Sequence, residues 1–166
     1  MDDAAGLAIA FEEAKKSYQQ GGIPIGAALI SSTGTVLGRG HNQRVQLDSP
    51  IHHGETATLL NAGRLPASTY ADSTMYTTLS PCDMCTGAIL LYKIPRVVIG
   101  ENSTFKAAGE DYMRQRGVEV VVMDDQECRT LMERFVRERP GVWWEDIGVV
   151  GEEKREGGRE GDDHVL

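Results

Sequence analysis

The sequence predicts an α/β sandwich with much of its sheet parallel. Apolar runs of strand length alternate along the chain with stretches whose apolar residues recur at helical spacing. The 166 residues, 40% hydrophobic and 25% charged, have the balance of one globular domain. A chain of this size hides about 70% of its unfolded surface, enough for a real core.

Each element has its own signal. Leu7, Phe11, Ala14 and Tyr18 form one face of a first helix that ends at Gly21-Gly22. Ala27 to Ile30 and Thr35 to Leu37 read as strands joined by a turn at Ser31-Ser32-Thr33-Gly34. After a break at Asp48-Ser49-Pro50, His53 to Ala62 reads as a helix with Ala57 and Leu60 on the face of His53. Thr74 to Leu79 is strand-like, and Pro81 opens a helix carrying Cys82, Cys85, Ile89 and Leu90. Arg96 to Gly100 is a strand and Tyr112 to Arg116 a short helix. The continuous apolar run from Val118 to Met123 predicts a strand buried on both faces. Cys128, Leu131, Met132, Phe135 and Val136 follow at helical spacing up to a break at Pro140-Gly141. Residues 1–150 read as one domain. Residues 151–166 carry six acids, three bases and four glycines, and read as a disordered acidic tail that holds His164.

Charge and cysteine usage narrow the function classes. A formal charge of −8 argues against nucleic-acid binding. No apolar run approaches the length of a spanning helix, and Met1-Asp2-Asp3 does not open like a secretory signal. Three cysteines, an odd count, suggest free or metal-bound thiols in a reducing cytoplasm.

Two short motifs carry chemistry: His53-Gly54-Glu55, an H-x-E, and Pro81-Cys82-Asp83-Met84-Cys85, a P-C-x-x-C. Neither is specific alone, but together they are the signature of zinc-dependent deaminases. Cys82 and Cys85, three apart at a helix start, can point their sulfurs the same way, and the helix N-terminus favours thiolates. His53 completes three ligands, which leaves the fourth tetrahedral position to water, as in a catalytic zinc site. Glu55 can then carry protons beside that water. A redox dithiol is the rival reading of Cys82 and Cys85, but it has no need of His53 or Glu55. Cys128 shares an apolar helix face with Leu131 and Phe135 and reads as a core cysteine, not a fourth ligand. His52 reads as a loop side chain and His41 as structural.

The resemblance reaches well beyond these motifs. The chain resembles the fungal-type cytosine deaminases of the cytidine deaminase-like superfamily, from Ala10-Phe11-Glu12-Glu13-Ala14 to Glu145-Asp146-Ile147-Gly148. It does so through Gly21-Gly22-Ile23-Pro24-Ile25-Gly26, Val36-Leu37-Gly38-Arg39-Gly40-His41-Asn42, the run from Tyr76 to Ala88, and Gly100-Glu101-Asn102. The resemblance implies a three-layer α/β/α sandwich around a mixed, mostly parallel sheet. It also implies a homodimer and hydrolysis of free cytosine, and of small 5-substituted cytosines, to the uracil and ammonia. His53, Cys82 and Cys85 match its zinc ligands and Glu55 its proton shuttle, with zinc-bound hydroxide attacking C4. Asn42 and the N–H of Gly54 match the groups on the pyrimidine edge. The carbonyl of Ser80 and the carboxylate of Asp146 match the acceptors of the leaving amine. Ile25, Leu79, Phe105, Trp143 and Ile147 match the apolar walls and lid.

The chain departs from the pattern at His52, where an apolar residue is expected, at Trp144, commonly phenylalanine, and in running past Gly148. Three other readings stand beside this one: a deaminase of another small amino-heterocycle or nucleoside, an editing deaminase of nucleic acid, and a non-catalytic zinc or thiol module. No basic run interleaved with aromatics supports the second, and Glu55 argues against the third.

Overall fold

The computed structural model describes residues 1–149; the predicted acidic tail lies outside the described residues. The described elements run α1 (Asp3–Gln19), β1 (Gly26–Ser31), β2 (Val36–His41), α2 (Arg44–Leu47), α3 (Gly54–Ala62), α4 (Ala67–Ala71), β3 (Ser73–Leu79), α5 (Asp83–Leu91), β4 (Arg96–Glu101), α6 (Gly109–Gln115), β5 (Glu119–Val122), α7 (Gln126–Glu138) and α8 (Pro140–Asp146). The strands form one sheet in the order β2-β1-β3-β4-β5. β1 is antiparallel to β2 and β3, whereas β3, β4 and β5 pair in parallel, so every strand but β1 shares one direction.

Alternation along the strands divides the core into two layers. Ala27, Leu29, Met75, Val97 and Ile99 face Ile89 of α5 and Met113 of α6. Ala28, Ile30, Tyr76 and Val98 face Leu7 and Ala10 of α1 and Cys128 of α7. Helices on both faces of a mixed sheet make the three-layer sandwich that the resemblance implies. A third cluster, around Ile23, Ile25, Leu79, Met132, Phe135 and Trp143, caps one end of the sheet.

Several local expectations are corrected. The buried side of α1 is Gly6, Leu7, Ala10, Glu13, Ala14 and Ser17, with Phe11 and Tyr18 at its edge. Small residues win this face because the helix lies very close to the sheet. A Cβ on Gly26 would collide with the backbone of Ala10 and Ala14. Gly26→Ala therefore costs about 3 kcal/mol of stability, read as a lower denaturant midpoint at unchanged slope. Leu60 does not share the buried face of Ala57 but points outward. β5 is an edge strand and only half-buried, because no described strand pairs beyond it. Pro140-Gly141 is not a simple break: Pro140, which lacks an N–H to leave unsatisfied, begins α8. Pro81 stands just before the N-cap Cys82 and not within the helix.

Candidate active site

The site lies where the carboxyl ends of β3 and β4 meet the start of β1 and the end of β2, the usual place for a ligand in an open α/β sheet. Two helices aim their N-termini into it. His53 is the N-cap of α3, and its N–H donates to Thr56 Oγ1 at 2.9 Å. Cys82 is the N-cap of α5, with Cys85 one turn on. The chain reverses from β3 into α5 over Ser80-Pro81, so the two cysteines reach the same point as the histidine.

The donor atoms of His53, Cys82 and Cys85 all lie within 4.8 Å of one another. His53 Nδ1 is 3.5 Å from Cys82 Sγ. The edge of a tetrahedron with one Zn–N and one Zn–S bond is about 3.6 Å, so the pair is already spaced for zinc. The Cys82 thiol is pulled down to about 4 by hydrogen bonds from Cys85 and His53, against burial. Cys85 is pushed up by its hydrogen bond to Cys82 and by burial. Burial opposes the charged form of His53, but the Cys82 hydrogen bond and charge outweigh it, and the net shift is upward. A half-buried and a buried thiol at one point, with an imidazole beside them, make a donor set suited to zinc.

Glu55, in the first turn of α3, is 3% exposed. Thr77 donates its hydroxyl to Glu55 Oε1 at 3.1 Å, which orients the carboxyl from β3. Burial pushes the Glu55 carboxyl up, and the neighbouring Cys82 thiolate adds to that shift. Asn42, just past β2, is fully buried. Its Oδ1 accepts the backbone N–H of Arg44 at 3.0 Å. That donor fixes the amide's orientation, so the Nδ2 group is turned the other way, where it has no partner among the described residues.

Ile25, Leu79 and Trp143 belong to one buried cluster, with Phe105 and Ile147 packed against it. The Phe105 and Trp143 rings meet edge to face at 5.8 Å. Asp146, at the end of α8, is nearly buried and pairs with Arg44. Gly54 is buried under Ile25. The Ser80 hydroxyl turns to Glu110 at 2.8 Å, and its N–H to the Glu101 carbonyl.

Cys128 is buried against the sheet, and burial pushes its thiol up. His52 contacts Ser49 at 2.6 Å, and His41 ends β2 between Glu13 and Gln20. Cys128 thus lies in the core, as its helical spacing predicts.

Three buried or half-buried charges escape sequence reasoning. Glu101 gathers the N–H groups of Ser103 and Thr104 and thereby shapes the loop that carries Phe105. Glu110 holds Ser80 and Asn102 together. Arg44 joins Asp146. Glu101 stands in a stretch that carries the resemblance, but no spacing rule marks any of the three.

A sandwich of this topology with a His-Cys-Cys donor trio and a buried glutamate beside it defines a zinc-dependent deaminase. The model of the cytidine and deoxycytidylate deaminase zinc-binding region matches residues 1–101, and the chain belongs to that family. It is 59% identical over 147 residues to the cytosine deaminase of Candida albicans, covering 89% of this chain and 97% of that protein. It is 37% identical over 107 residues to a tRNA-specific adenosine deaminase of Streptococcus pyogenes, covering 64% of this chain and 66% of the other. A guanine deaminase structure from Nitrosomonas europaea superposes with a TM-score of 0.66 at 18% identity, over 79% of this chain and 82% of that one, and shares the fold.

Proposed function

We propose that this chain hydrolyses free cytosine to uracil and ammonia with zinc as cofactor. The observation that carries this reading is the 59% identity to a cytosine deaminase across 97% of that relative. Zinc held by His53, Cys82 and Cys85 supplies Lewis acidity that makes water a nucleophile near neutral pH. The remaining work falls to the chain's own groups. Asn42 Nδ2 donates to the ring carbonyl, joined by the Gly54 N–H, which at the first turn of α3 has no intrahelical acceptor. The Ser80 carbonyl and the Asp146 carboxylate accept from the exocyclic amine. Two acceptors favour an amine over a carbonyl at that position, which selects substrate over product. Ile25, Leu79, Phe105, Trp143 and Ile147 enclose the planar ring and exclude bulk water. Glu55 takes a proton from the attacking water, passes it to ring N3 and then assists departure of the amine.

The same reading makes the protein a cytoplasmic homodimer. Leu60 of α3 and Leu91 of α5 are 64% and 72% exposed, leucines that a second copy would cover. No described helix is long and apolar enough to cross a membrane. The net charge of −8 opposes a polyanionic substrate. Residues 1–150 form the catalytic domain on this reading, with 151–166 dispensable. The test is conversion of cytosine followed by ultraviolet absorbance and ammonia release, for the whole chain and for the chain ended at Val150. Equal turnover by both supports the reading, and no uracil formed by either zinc-loaded protein overturns it.

A further inference from the structure

One residue outside the roles above touches both ends of the substrate slot. Arg44, at the start of α2, donates its backbone N–H to Asn42 Oδ1 at 3.0 Å. Its guanidinium Nη1 donates to Asp146 Oδ1, which lies 102 residues further along the chain. The Asp146 side chain is only 4% exposed, whereas that of Arg44 is 25% exposed. Burying a carboxylate to this degree is costly unless it is paired.

The guanidinium is not packed as a core group. Its Nε is buried with no partner among the described residues. A cavity of about 300 Å³ runs beside it, lined also by Ile23, Asp48, Pro50, Val142 and Glu145. A buried ion pair with an unsatisfied donor is a poor source of stability. As a means of aiming one carboxylate it is effective, because it gives Asp146 a direction as well as a charge.

We propose that Arg44 is a positioning residue for substrate recognition: it holds the Asp146 carboxylate toward the exocyclic amine and ties α8 to the strand end that carries Asn42. This rests on the cytosine reading. Because the tie to Asn42 runs through the backbone, replacing the Arg44 side chain disturbs only the amine end of the pocket.

The test compares Arg44→Ala, Arg44→Lys, Asp146→Asn and the double variant Arg44→Ala/Asp146→Asn, each with zinc content measured. In Arg44→Ala, kcat/KM for cytosine falls about 10- to 100-fold, chiefly through KM. Inhibition by uracil, which lacks the amine, holds within about threefold or tightens. Arg44→Lys recovers most of the loss, and Arg44→Ala adds nothing once Asp146 is Asn. Unchanged cytosine kinetics in Arg44→Ala, or an equal weakening of uracil, overturns the proposal. Hydrogen exchange at the Trp143 and Ile147 amides reads the tie without any turnover. If the wild-type protein does not act on cytosine, the functional reading falls and this measurement decides the role of Arg44. Exchange about tenfold faster in Arg44→Ala than in wild type supports the tie, and equal exchange overturns it.

Discussion

Glu55→Gln lowers kcat for cytosine by about 10²- to 10⁴-fold, the range for loss of a positioned general acid–base. The substitution keeps the side chain's shape and its acceptor for the Thr77 hydroxyl. It removes the group that can take and return a proton. The drop belongs in kcat more than in KM, because the account gives Glu55 no part in holding the ring at rest. Zinc content and thermal stability stay near those of the wild type, which separates a chemical loss from a folding loss. Normal turnover by a zinc-loaded Glu55→Gln would remove the proton shuttle from the mechanism.

Removal of zinc has the second-largest expected effect, because it acts on both activity and stability. His53 and Cys82, the N-caps of α3 and α5, would hold the starts of both helices against one ion. Chelation abolishes turnover. With free zinc about a thousandfold above its dissociation constant, linkage contributes about 4 kcal/mol to the folded state. For a domain of this size that is a fall of about 8–16 °C in melting temperature on chelation. Cys85→Ala reproduces both losses and is not rescued by added zinc. Calorimetry with matched metal analysis reads the result. A melting temperature unmoved by chelation would mean that the trio does not hold the ion.

Much of this was legible in the sequence because its causes are local. The apolar run Ala27 to Ile30 and the strand-like Thr74 to Leu79 follow from strands packed on both faces. The histidine, the glutamate and the two cysteines stand at spacings that helix starts impose. β5 shows where local pattern fails: Val120, Val121 and Val122 look like an interior strand, yet among the described strands only β4 pairs with them. Strand order is a property of the whole sheet, and an apolar run does not state how many neighbours it has. Leu60 misleads in another way: its helical spacing matches Ala57, yet it is 64% exposed.

The residues that escaped the sequence reading are those whose partners are distant or depend on a loop's path. Nothing local singles out Arg44, whose partner Asp146 arrives from α8. Glu101 and Glu110 gain their roles only when Ser103, Thr104, Ser80 and Asn102 fold around them. Asn42 was assigned through resemblance alone. Its burial and its unpartnered Nδ2 give that assignment a physical basis that no spacing supplies.

The most direct test of the account is the ratio of kcat/KM for cytosine to that for cytidine, measured side by side on zinc-quantified protein. The account places Trp143, Asp146 and Ile147 over a slot sized for a free base, and it predicts a preference for cytosine of at least about 100-fold. Cytidine turned over as well as cytosine, or better, would contradict it: the zinc chemistry would stand, and the pocket assigned to Asn42, Asp146 and the α8 lid would not.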